Sequence, residues 1–106
     1  MKIRLTHPLR PNPSMPNVQY SHAKIVSVGI DVNSLVRIWL AYGTEEGGSW
    51  KSAESIPRIV LAIPMSDIQT HFSVPLLDDE NILSGFWRVL YFYAQQAKPE
   101  LAGRVE

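Results

Sequence analysis

The chain has no cysteine. That excludes a disulfide framework, thiolate metal sites and cysteine nucleophiles together, and it fits synthesis in a reducing cytoplasm. Long apolar runs are missing too, so nothing in the sequence spans a membrane. The start, "MKIRLTHPLRP", is charged but has no apolar stretch behind it, so no signal peptide is readable. No histidine pair has metal-ligand spacing: His7, His22 and His71 fall far apart. Neither a G-x-S-x-G elbow nor a Walker lysine is present, since "ILSGF" and "YGTEEGGSW" fit neither pattern. An enzyme, a metal centre and a bound cofactor are therefore not expected.

A length of 106 residues with 45% apolar content allows one domain with a thin core. Net charge is zero, yet it is unevenly placed. Lys2, Arg4, Arg10 and Lys24 stand in the first thirty residues without a carboxylate, whereas nine acids face five bases from Glu45 onward. The early bases either solvate an extended segment or meet an acidic partner, a nucleic acid or the acidic half of another copy.

Four of the eight prolines, Pro8, Pro11, Pro13 and Pro16, fall within "THPLRPNPSMPN". Each fixes its own φ and pushes the preceding residue toward extended geometry. Residues 1–19 are therefore expected as an extended Pro-rich N-terminal arm, with "KIRLT" able to form a short strand, ahead of a single domain over 20–106. Such an arm buries too little of its own surface to offset its ordering entropy. Docking on a neighbouring subunit would order it, with Pro8, Arg10, Pro11 and Pro13 as contacts.

Period-two alternation predicts a strand in "YSHAKIVSVGIDV", with Tyr20, His22, Lys24, Val26, Val28 and Ile30 on one face. After the "DVNS" turn, "LVRIWLAYGT" returns with Val36, Ile38, Leu40 and Tyr42 toward the core. Arg37 and Trp39 then belong to the opposite face. "EEGG" makes a second turn, and "RIVLAI" between Pro57 and Pro64 is a further strand. "SDIQTHF" reads either as one helical turn or as a continued edge. "DDENILSGFWRVLYFYAQQAK" has helical spacing at Ile82, Phe86, Val89, Leu90, Tyr93 and Ala97, and Pro99 stops it. The acids at 78–80 suit a helix start, and "PELAGRVE" reads as a tail.

The expected fold is α+β, an antiparallel meander of three or four strands packed against one long C-terminal helix. Val26, Val28, Ile30, Ile38, Leu40, Leu61, Ile63, Phe86 and Leu90 should form the core. Tyr20, Lys24, Arg37, Trp39 and Trp50 share or border one sheet face. Aromatics among bases suit a protein interface, simple intramolecular packing, or a platform for single-stranded nucleic acid. A second helix stripe of Leu83, Trp87 and Tyr91 widens the apolar surface and makes Trp87 a further contact candidate.

The run "YSHAKIVSVGIDVNSLVRIWLAYGTEEGGSW", with the late aromatic helix "GFWRVLYFYA", resembles small accessory proteins among the structural genes of tailed bacteriophages and prophages. The resemblance covers about two thirds of the chain and transfers no functional residue. It implies a virion-associated structural or adaptor subunit of a capsid, neck or tail, made in the host bacterial cytoplasm, with protein subunits as partners. A small phage protein that binds and inhibits a host protein, and a single-stranded nucleic-acid binder, are the alternatives.

Overall fold

The computed structural model describes residues 1–11, 19–72 and 82–106. Six strands, β1 (Ile3–Leu9), β2 (Tyr20–Ile30), β3 (Leu35–Glu46), β4 (Ser49–Ser52), β5 (Ile59–Pro64) and β6 (Gly103–Val105), accompany two helices, α1 (Met65–Phe72) and α2 (Ile82–Ala97). The strands form one antiparallel sheet in the order β4-β3-β2-β1-β6, with β5 also paired to β3. The α+β class is as expected. The count and the connectivity differ from a simple meander, because β3 is long enough to serve two partners on one edge. Its first half pairs with β5, from Leu35↔Pro64 to Leu40↔Ile59, and its second half with β4, from Gly43↔Ser52 to Glu46↔Ser49.

The β3 alternation follows the sequence pattern. Val36, Ile38, Leu40 and Tyr42 are all buried, facing Ile63 and Leu61 of β5 and the helical layer. The β2 pattern does not hold. Ile25 pairs with Leu40, and the next paired residue, Ser27, meets Trp39, so Val26 is the extra residue of a β-bulge. A bulge shifts the phase of everything after it by one. Ala23 and Ile25 before it, and Val28 and Ile30 after it, therefore lie on the core face. Val26 and Val28 are only half-buried and Ile30 is 67% exposed, which corrects their expected place in the core.

The short strand expected in "KIRLT" is present as β1, and it is built into the sheet. Ile3 is fully buried and Leu5 nearly so, because β1 lies between β2 and β6. Residues 3–9 are thus part of the sheet, and a domain boundary after residue 19 would cut the β1–β2 pair. Leu9 faces Tyr20, so residues 10–19 connect two paired strands. Pro8 is accommodated because the β1–β2 register breaks between Arg4 and Leu9, where no continuous ladder needs its missing N–H.

The segment expected as a tail is structural. A 3-10 turn, Pro99–Leu101, buries Leu101 completely, and β6 closes on β1 with reciprocal bonds between Lys2 and Glu106 of 2.9 and 2.8 Å. The long helix is accordingly not the last element. It buries Val89, Leu90, Tyr91 and Ala94, and Phe86 packs partly against the same cluster. Tyr91, expected beside the core stripe, is 1% exposed. Its hydroxyl accepts the Ile25 N–H at 2.9 Å and donates to the Met1 carbonyl at 2.8 Å. Burial pushes that hydroxyl above the usual phenol range, so it stays a neutral donor. The short helix α1 settles "SDIQTHF" as helix, and Asp67 on it accepts a 2.5 Å bond from the Tyr93 hydroxyl of α2. The expected helix start at residues 78–80 lies outside the described residues.

Two measurements check this account. Ile3→Ala should lower the stability to urea by about 2–5 kcal/mol, the range for emptying a well-packed aliphatic site; a free arm would give almost no change. Tyr91→Phe leaves one buried N–H without its acceptor and should cost about 1–3 kcal/mol in the same assay.

Candidate functional site

The face of the sheet opposite the helices carries the residues singled out by sequence. Side chains directly opposite in an antiparallel pair share a face, so the register alone places them. Arg37 pairs with Gly29 and Ala62, Trp39 with Ser27 and Val60, and Lys24 with Ala41. Next come Gly43 with His22 and Ser52, and Glu45 with Trp50. Lys24, Arg37, Trp39 and Trp50 therefore lie together on one surface, as the alternation predicts. Tyr20 packs instead against the core cluster and borders an open groove. That groove holds about 820 Å³ and is lined among the described residues by Tyr20, Trp50 and the chain from Lys51 to Ser55.

Each of the two tryptophans is seated on a glycine. A Cβ on Gly29 would stand 3.6 Å from the Trp39 ring, an ordinary contact. At Gly43 it would stand 2.7 Å from Trp50 and 2.3 Å from the Lys51 carbonyl, which no side chain tolerates. The Trp50 indole is further fixed by its N–H, which donates to Ser52 Oγ at 2.8 Å. The Lys24 ammonium lies 5.6 Å from the Trp50 ring centroid, in cation–π range. Trp50 is thereby fixed against its own chain, and Trp39 rests on Gly29 with its edge strand neighbour Val60 half exposed beside it.

The charges of this face are largely paired. Lys2 meets Glu45 at 2.6 Å, Arg4 meets Glu106 at 2.6 Å, and Arg37 meets Asp31 at 3.3 Å. The hydrogen bond from Lys2 holds the Glu45 carboxyl below the usual carboxylate range. Asp31 is lowered chiefly by the Asn33 N–H, which donates to it at 2.8 Å in the β2–β3 turn. His22 is buried between Arg4 and Gly43; its Nδ1 lies 2.6 Å from Ser21 Oγ, and its Nε2 finds no partner among the described residues.

The remaining candidates are dispersed. Trp87, half-buried on α2, makes an edge contact with Phe86 at 6.2 Å. With Met1, Lys24, Ile25 and Tyr91 it lines a small hollow of about 120 Å³. Pro8 is half-buried in β1, Arg10 donates to the Gln19 side chain at 3.3 Å, and Pro11 is exposed. Pro13 lies outside the described residues. Sequence reading missed Gly29 and Gly43 as the seats of the tryptophans; their diagonal position across the hairpins is the signal that marks them. Among the described residues, no group of three histidines or acids stands close enough to hold a metal ion, and no helix is long and apolar enough to cross a membrane.

Gly43→Ala should therefore destabilise the fold by about 1–3 kcal/mol through overpacking and shift the Trp50 emission. Gly29→Ala should change stability by less than about 1 kcal/mol. The Lys2–Glu45 pair is made by a carboxyl whose folded pKa is depressed. Its contribution is present above the ordinary carboxylate range and is lost as pH falls through the folded value. The melting-temperature gap between the wild type and Lys2→Met should accordingly close on acidification.

No family model matches the chain, and comparison with curated proteins and with solved structures gives no match.

Proposed function

We propose that this chain is a non-enzymatic structural or adaptor subunit of a tailed-phage or prophage assembly, resident in the virion and working through protein contacts. The observation that carries the reading is the outer sheet face. Trp39 and Arg37, two residue types enriched where proteins bind each other, are held there on a rigid sheet. Pre-organised side chains lose little entropy on binding, which is what a docking surface needs.

The same face speaks against the nucleic-acid reading. A phosphate backbone is bound by cations able to release counterions. Here Lys2, Arg4 and Arg37 already face carboxylates, and Lys24 is spent on Trp50. The role first expected for residues 1–19 narrows accordingly. Residues 3–9 are committed to the sheet, so contacts from this part of the chain belong to the connection after Leu9, with Arg10 and Pro11 exposed at its base.

Quantitative mass spectrometry of purified particles decides between the structural role and inhibition of a host protein. A structural subunit is present in fixed copy number relative to the major capsid or tail protein. Absence from the particles, with recovery in complex with a host protein, would transfer the function to inhibition. Strong quenching of tryptophan fluorescence by oligonucleotide, abolished by salt, would revive the nucleic-acid alternative.

A further inference from the structure

The open groove beside Tyr20 and Trp50 is walled by strand ends, and neither Arg37 nor Trp39 lines it. Tyr20 starts β2, Glu46 closes β3, Lys51 lies in β4 and Glu54 follows it. Gln19, three hydroxyl side chains and Ala53 complete the lining among the described residues. Glu46, Lys51 and Glu54 are all exposed, and none enters an ion pair among the described residues. On the sheet face, by contrast, Lys2, Arg4 and Arg37 each have a carboxylate. Tyr20 and Trp50 are half-buried, so each leaves part of its ring at the surface. The one donor of Trp50 is already satisfied by Ser52 at 2.8 Å. Gln19 accepts from Arg10, which leaves its two N–H donors unused among the described residues.

This lining selects a ligand by exclusion. Its only aliphatic side chain is that of Ala53, so an acyl chain or an apolar helix face finds no wall to pack on. Two carboxylates against one ammonium make the described lining negative, which repels phosphate and nucleic acid. An organic cation would seek the face of Trp50, but the Lys24 ammonium already lies 5.6 Å from that ring centroid. What the groove supplies is a dense mixture of acceptors and donors around two flat rings. A carboxylate has two oxygens and accepts from two neighbouring hydroxyls at once, while Gln19 and Lys51 donate. The negative π faces suit the C–H side of a pyranose, whose hydrogens carry slight positive charge. A neutral sugar uses every one of these groups.

We propose that the groove binds a neutral oligosaccharide, with Glu46 and Glu54 accepting from its hydroxyls and Tyr20 and Trp50 as platforms for its rings. This inference goes beyond the subunit role and does not require it. The volume of about 820 Å³ falls within the range of ordinary ligand sites, about 300–1,000 Å³. Because the groove is open, it takes a stretch of a sugar chain rather than enclosing a single ring. Its walls are set before binding. Gly47 and Gly48, both at positive φ, shape the turn behind Glu46, and Gly43 and Ser52 fix Trp50. Little conformational entropy is then lost when the ligand arrives.

The test is titration of the full chain with maltohexaose, cellohexaose and N-acetylated chitohexaose, followed by calorimetry and by the indole N–H signals in NMR. At least one sugar should bind saturably, with a Kd on the order of 1 mM or tighter, and shift the Trp50 signal. Glu46→Gln and Glu54→Gln keep the side-chain shape at exposed positions and remove the charged acceptor. Each should weaken binding about tenfold, as the loss of one charge-assisted hydrogen bond does, with the circular dichroism unchanged. Arg104→Gln, on β6 at the other side of the sheet from β4, should leave the affinity as it is. No saturable response to any of the three sugars overturns the inference, as does binding that both glutamate variants leave unchanged. A Trp50 shift with an oligolysine peptide and none with the sugars overturns it in favour of a cationic ligand. None of these results alters the copy number in particles, so the subunit role stands or falls separately.

Discussion

The structure turns on one phenolic hydroxyl. The bulge at Val26 lies just past an amide, that of Ile25, which points away from β3 where β1 has only begun. Left bare beneath a helix, such an N–H would cost more than most single contacts return. Tyr91 accepts from it and donates to Met1, so one side chain ties the helix to β2 and to the start of β1. The ring carrying the hydroxyl is itself among the largest fully buried groups. Helix orientation, the phase of β2 and the position of the first strand are therefore set together.

The two sides of the sheet follow different physics. On the helical side, branched aliphatics from β1, β2, β3 and β5 meet α2 and exclude water, the ordinary source of stability for a small domain. On the other side there is no second layer among the described residues. Cover comes from large rings folded down onto glycines and from ion pairs, Lys2–Glu45 reaching over β2 and Arg4–Glu106 at the β1–β6 margin. Exposed ion pairs contribute little each, so this side is organised more than it is stabilised. Its shape is held by Gly43, which admits Trp50, and by the turn at Gly47 and Gly48, both at positive φ.

What the sequence disclosed and what it hid divides along these lines. The β3 face was legible because Val36, Ile38, Leu40 and Tyr42 alternate without interruption, and the register then carried Arg37, Trp39 and Trp50 to the other side. The β2 face was not, because Ile25 and Val26 are both apolar and either phase reads well; a bulge leaves no residue signature there. Strand β6 was invisible in "GRVE", since three residues have no periodicity and their partner is about a hundred residues away. The fate of Tyr91 was hidden for a related reason. Helical spacing marks its stripe as apolar but says nothing of an unpaired amide waiting opposite. Trp87, on the same stripe one turn earlier, reaches only the margin of the core.

The clasp between β1 and β6 has a mechanical meaning. Lys2 and Glu106 are bonded to each other, so these two residues lie side by side at the same end of that ladder. A force drawing these two residues apart acts across the strands and peels them one pair at a time, from Lys2–Glu106 toward Leu5–Gly103. Sliding along the strands, which would break all the pairs at once, is not the path offered. Pulled apart at residues 2 and 106, the sheet would yield there first, under modest load, while the long β2–β3 ladder behind it stayed closed.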